Sequence, residues 1–265
     1  MRLEKDQIFL LDEDILNKIV SIANLKKADV VLEIGAGEGN LTKKLAERVE
    51  RVYAIEEDEE LARKLRKNLE GMDNVIIIVG NALKIKFPSF NKSVSNLPYS
   101  ILEPLLKKLT KYDFDYCIFL VPSKFYYRLT AKEGEALFSK LSIFANLFYK
   151  IEYLDKIPKE AFYPKAKREG IIIKLSLKQS TDLREEVLKE LFRQDDKKLK
   201  NALREGLIKA FNKFGSALTK RQAREMIERL DINPFLLERK VSEFSTEDFL
   251  SVIKKISSFL DNHTA

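Results

Sequence analysis

The sequence predicts an α/β protein, a mostly parallel sheet with an antiparallel edge, followed by a small all-α domain. Three observations predict it. Short apolar runs bounded by turn signals alternate with helix-period segments through the front of the chain. Two β-rich runs then follow with no long helix between them. From Lys178-Gln179-Ser180-Thr181 onward every periodic segment has the helical spacing.

The elements follow in order. Val30–Ile34, Arg51–Ile55, Val75–Val79, Lys92–Asn96 and Asp115–Val121 read as short buried strands. Leu41–Val49, Glu57–Leu69 and Ile101–Lys111 read as the helices between them. Strands separated by helices at this spacing require crossover connections, and so a parallel sheet covered on both faces. Tyr149–Ile157 and Ile171–Leu177 are joined by Pro158 to Gly170, too irregular for a long helix, and are expected to pair as an antiparallel edge. Leu183–Phe192, Lys198–Phe211, Lys220–Leu230 and Thr246–Leu260 carry the helical pattern. The expected division is an α/β domain over residues 1–178 and a helical domain over 179–265.

Composition excludes several kinds of chemistry. His263 is the only histidine and Cys117 the only cysteine. A serine triad, a His/Cys zinc site and an internal disulfide are thereby excluded, and no metal is expected. Cys117 lies within the apolar run "DYCIFLV" and reads as a buried strand residue. No membrane span or signal peptide is expected, which suits a cytoplasmic protein. Residues 1–100 carry 16 basic and 17 acidic side chains out of 48 and 41 in the whole chain, so the net charge of +7 comes from the rear. That asymmetry suits a polyanionic partner, although Lys/Glu-rich surfaces are also a mark of heat-adapted proteins.

The run "VVLEIGAGEGNLT" sets Gly35, Gly37 and Gly39 after the first of these strands and before a helix. A glycine-rich first turn of this kind marks a nucleotide-binding, Rossmann-like sheet. Its spacing departs from the dinucleotide fingerprint, and Glu33 and Glu38 would repel a pyrophosphate. The same acids would attract a cationic ligand carrying a ribose. Glu56 ends the next strand, where a carboxylate meets ribose hydroxyls. Glu57 adjoins it at the same strand end, while the acids through Glu60 also suit the dipole of the following helix. After the third strand, "VGNALKI" offers Asn81 and Ala82. The Asn81 amide can accept from an adenine amino group and donate to a ring nitrogen. Glu33, the glycine loop, Glu56 and Asn81 at successive strand ends point to S-adenosylmethionine, a nucleoside with a sulfonium and no phosphate.

The fourth strand ends in "SNLPYSI". Exocyclic adenine N6 is a poor nucleophile because its lone pair is delocalised into the ring. The Asn96 oxygen and the Leu97 carbonyl can hold its two hydrogens, Pro98 stiffens the corner, and Tyr99 offers a face for stacking. This is catalysis by positioning and electrostatics, with no strong base. "DQIFLLD", "EIGAGEGNLT", "AIEED", "GNALK", "NLPYSI", "FLVPSKFYYRL", "LSIFANL", "AFYPKAK" and "LFRQDDKKLKNAL" follow one another in the order of the rRNA adenine N6-dimethyltransferase family, which the chain resembles almost end to end.

The resemblance implies an archaeal-type enzyme with S-adenosylhomocysteine as product. It would dimethylate two adjacent adenosines near the 3′ end of small-subunit rRNA during subunit assembly, acting as a monomer on an immature particle. It implies that Ile8, Leu10, Glu33, Gly35, Gly37, Glu56, Glu57, Asn81, Ala82 and Asn96 hold the cofactor. Asn96, Leu97, Pro98 and Tyr99 would form the target pocket, with Phe162 on the base's other face. Ile8 stands where the family has Asn, Asn81 where it usually has Asp, and Pro122-Ser123-Lys124 where it has a Gln-Lys-Glu type run. Lys107, Lys108, Lys124, Arg128, Lys165, Lys167, Arg168, Lys197, Lys198 and Lys200 are candidate phosphate contacts, each of which could equally belong to a solvated face. The alternatives are a large-subunit rRNA methyltransferase of the resistance type and a non-catalytic assembly or transcription factor on the same fold. An NAD-dependent dehydrogenase is opposed by Glu33 and the glycine spacing.

Overall fold

A computed structural model describes Phe9, Leu10 and residues 12–261. The expectation at Ile8 lies outside the described residues. Two compact units emerge. One comprises the chain up to Thr130 together with Tyr149–Leu177. The other comprises Ala131–Phe148 and the chain from Lys178. The boundary near residue 178 is therefore crossed by an excursion, because the segment 131–148 belongs with the helical unit.

The first unit is built on a seven-stranded sheet. In chain order its strands are β2 (Val30–Ile34), β3 (Arg51–Glu56), β4 (Val75–Val79), β5 (Lys92–Asn96), β6 (Tyr116–Pro122), β7 (Tyr149–Ile157) and β9 (Gly170–Leu177). Their spatial order is β4-β3-β2-β5-β6-β9-β7. The first five run parallel, and β9 pairs antiparallel with both β6 and β7. The chain winds outward from β2 to β4 and then crosses back to β5, so the order reverses between β2 and β5. Ligands of open α/β sheets bind at the carboxyl ends of the strands flanking such a reversal. Two serines bind these strands together: Ser95 Oγ accepts from Ile34 N at 2.9 Å, and Ser93 Oγ donates to Leu32 O at 2.7 Å. A two-stranded ribbon completes the unit, β1 (Phe9–Leu10) pairing antiparallel with β8 (Phe162–Tyr163).

Helices α2 (Asn40–Ala46), α3 (Glu59–Asn68) and α4 (Leu102–Leu109) occupy the expected crossovers, each within a few residues of its expected ends. Four helices are additional to those read from the sequence: α1 (Glu13–Ile22), α5 (Ser123–Thr130), α6 (Lys140–Phe148) and α10 (Pro234–Glu238). Their signals are weak for physical reasons. The helix α6 buries Leu141, Ser142, Ile143, Phe144 and Ala145 in succession, so it shows no amphipathic stripe. The start of α1 is fixed locally, by Asp12 accepting from Asp14 N and Ile15 N.

The helical unit contains α6 with α7 (Leu183–Arg193), α8 (Leu199–Lys213), α9 (Lys220–Arg229), α10 (Pro234–Glu238) and α11 (Thr246–Asp261). Phe144, Phe148, Phe192 and Phe249 form its aromatic centre, with Phe192 and Phe249 centroids 4.5 Å apart. Along α7 and α8, Glu186 meets Arg193 and Lys213, and Glu190 meets Arg193 and Lys209. Among the described residues no helix is long and apolar enough to cross a membrane.

Candidate active site

A cavity of about 1530 Å³ opens at the carboxyl ends of β2, β3 and β5. It is lined by Leu10, Glu33, Gly35, Gly37, Glu56, Glu57, Asn81, Ala82 and the whole of Asn96–Ile101, and Phe162 stands on its wall. Every described residue expected in the cofactor and target pockets thus reaches one continuous space.

The glycine loop is held by the strand beside it. Gly35 N and Ala36 N both donate to Ile55 O, at 2.8 and 3.1 Å. Gly39 has a φ of +96°, a left-handed conformation that favours glycine, and a Cβ there would lie 2.7 Å from Leu65 Cδ1 on α3. Glu56 is buried, and its carboxylate accepts from Gly37 N at 2.8 Å and from Asp58 N at 2.9 Å. It therefore shapes the loop while facing the cavity.

Glu33 differs from it. It is 2% exposed, its Oε2 and the neighbouring Thr42 hydroxyl are buried, and no cation among the described residues pairs with it. Burial pushes its carboxyl up to about 8; the Thr42 hydroxyl beside it works the other way, and repulsion from Glu56 adds to the rise. An acid lining a cavity in this condition fits a ligand that brings positive charge.

At the end of β4, Asn81 is already engaged at both ends of its amide. Its Oδ1 accepts from Leu83 N at 2.8 Å, and its Nδ2 donates to Glu57 Oε1 at 2.8 Å. One lone pair and one hydrogen remain for a ligand. The turn that follows is braced from α4. The Lys108 ammonium donates to Ala82 O at 2.6 Å and also to Ile85 O, and lies 4.0 Å from the Phe87 ring centroid. Burial, reinforced by Lys111, lowers its pKa. Lys108 therefore serves this turn, which corrects the expectation of a phosphate contact there. A lysine three residues beyond a Pro-containing first turn gives no sign in sequence that it will fold inward.

The corner after β5 presents Asn96, Leu97, Pro98 and Tyr99. Pro98 has φ −64° and ψ 141°, which turns the chain out of the strand. Tyr99 is 43% exposed, and its ring meets Phe125 edge-on at 6.2 Å. Phe162 comes from β8, where its Cα is in register with Leu10. Gly170 was absent from the expected site residues, yet it makes this seat. A Cβ on it would meet Leu120 Cδ1 at 2.7 Å and Phe162 Cζ at 2.9 Å. Only a steric account of β9 reveals that requirement.

Lys124, Lys165, Lys167 and Arg168 also line the cavity, and Lys165 is paired with Glu160 at 3.0 Å. Lys107 and Arg128 line a smaller adjacent depression. In the helical unit Lys197 donates to Gln194, and Lys198 and Lys200 both pair with Glu238.

Comparison with known proteins follows the same pattern. Over 267 residues the chain is 36% identical to a probable ribosomal RNA small subunit methyltransferase A of Thermococcus sibiricus, covering 97% of this chain and 91% of that one. It is 39% identical over 200 residues to the protein so described in Pyrococcus abyssi, covering 75% and 74% of the two chains. A dimethyladenosine transferase from Plasmodium falciparum superposes with a TM-score of 0.63 at 26% identity, over 95% of this chain and 98% of the other. The 23S rRNA methyltransferase ErmE shares the fold at a TM-score of 0.61 and 21% identity, over 94% and 99%. The ribosomal RNA adenine dimethylase profile matches residues 1–241, which takes in the sheet, the quoted corner and most of the helical unit, and the chain belongs to that family.

Proposed function

We propose that this methyltransferase dimethylates N6 of two adjacent adenosines near the 3′ end of small-subunit rRNA, within an immature particle, with S-adenosylmethionine as donor. The reading places the enzyme in the cytoplasm as a monomer. One observation carries it: a single cavity joins Glu33, buried with no cation beside it among the described residues, to the Asn96–Tyr99 corner. The small-subunit substrate is favoured over the large-subunit alternative by relatives at 36% and 39% identity that are named for the small subunit.

The donor supplies a methyl group on a sulfonium. Glu33 offers a buried carboxyl to its positive charge, and Glu56 offers a carboxylate to a ribose while keeping the Gly37 amide in place. Asn81, Glu57 and the Ala82 turn surround the position for the adenine ring. On the other side, the Asn96 oxygen and Leu97 carbonyl take the two hydrogens of the target amine, which localises its lone pair on nitrogen. Tyr99 and Phe162 hold the extruded base between aromatic faces, each contact worth about 1–3 kcal/mol. Lys124, Lys165, Lys167 and Arg168 at the mouth meet the phosphates.

The test is tritiated methyl transfer to immature small subunits, naked rRNA and large subunits, followed by nucleoside mass analysis. Dimethyladenosine confined to small-subunit material is expected. Label in large subunits, or on another base, would overturn the reading.

A further inference from the structure

Beside the main cavity lies a second depression of about 310 Å³. Tyr99 and Ser100 line both, so the two spaces meet at one aromatic ring. Phe125, 2% exposed, stands edge-on to that ring and contributes an apolar wall. Lys107 and Arg128 bring two positive charges to the lining and Glu103 one negative charge, leaving a net charge of +1.

A base held against the cavity face of Tyr99 belongs to a polynucleotide, and its neighbour must lie within one backbone repeat. Unstacked RNA bases settle on aromatic side chains, and their phosphates settle beside cations. The depression offers both at the required place. From this we infer that it is a second nucleotide subsite, holding the nucleotide that adjoins the target adenosine, with Lys107 and Arg128 facing the connecting phosphate. The inference rests on the proposed rRNA adenine methylation and deepens it. With two neighbouring adenosines as substrate, the subsite lodges one while the other is methylated.

The test is a cycle between protein and RNA. Small subunits are reconstituted with rRNA lacking a single base, either 5′ or 3′ of a methylated adenosine. Each is assayed with the wild-type protein and with Glu103→Trp, whose indole fills the depression. Lys107→Trp repeats the block from another residue, so a folding defect in one variant leaves the other to decide. Removing the base on one side is expected to lower wild-type kcat/KM about tenfold. The blocked proteins should show that loss already on intact RNA, with less than about twofold added by base removal. Independent, multiplicative losses on both sides, or no loss on either, overturn the subsite. A wild type inert on intact subunits overturns the methylation reading, and the subsite with it; an active wild type isolates the inference.

Discussion

Glu33 in the α/β unit and Glu186 in the helical unit are both buried glutamates, 2% and 6% exposed, yet their chemistry is opposite. Burial lifts the Glu33 carboxyl from 4.5 to about 8, and no cation among the described residues pairs with it. Burial would also raise Glu186, but hydrogen bonds from Lys213 and Arg193 reverse the effect and hold it at about 2. A helical bundle with a buried acid has supplied its cations from its own neighbouring turns. The cleft has not, and an acid left in that condition is waiting for charge from outside the chain. Burial alone does not mark a site; the absence of a balancing cation does.

The largest expected effect lies at the cleft's other wall. Asn96→Ala should lower methyl transfer by about 10²–10³-fold while cofactor affinity stays within about tenfold. Single-turnover assays with parallel calorimetry check this, and equal loss of both quantities would remove Asn96 from the chemical step. Glu56→Ala is expected next, weakening cofactor binding by about ten- to a hundredfold, because charged hydrogen bonds to ligand and to Gly37 are lost together. Unchanged calorimetric affinity would place Glu56 outside the site.

The helical counterpart should separate stability from activity. Glu186→Gln should destabilise the protein by about 1–2 kcal/mol, a modest figure because Lys213 and Arg193 reach solvent, with kcat unaltered. The folded-state pKa of Glu186 is depressed, so its contribution is present above pH 4.5 and lost as pH falls toward 2. Acid unfolding of the variant, followed by circular dichroism, should be flatter across that window. Lys108→Met should raise the cofactor Kd by about three- to tenfold with little change in kcat, and Lys108→Arg should recover part of the loss. A loss of kcat without a change in Kd would detach Lys108 from the adenine turn.

The finest distinction is a proton. Glu33 has a raised folded-state pKa, so its contribution to stability is complete below 4.5 and is lost as pH rises through about 8. At pH 7 it carries a proton that a cationic donor should displace. Calorimetry in buffers of differing ionisation enthalpy should therefore show proton release on binding, and Glu33→Gln should abolish it. Release that survives in the variant would dissolve the contrast with Glu186.

The amino-acid sequence by itself determined the sheet, the glycine loop and the Asn96–Tyr99 corner. Val30–Ile34, Val75–Val79 and Lys92–Asn96 are bounded by local turn chemistry and apolar period, and Asn-Leu-Pro-Tyr is contiguous, so neighbouring residues carry the whole signal. Tertiary structure decided what depends on contacts between distant segments. The all-round apolar α6 has no stripe to read, and the 131–148 excursion joins α7 only through packing. Gly170 matters because Phe162 needs its volume, Lys108 because two carbonyls lie 23 and 26 residues before it, and Glu33 because no cation among the described residues comes to meet it. Local pattern specifies elements; partnership, and its absence, exists only once the chain has folded.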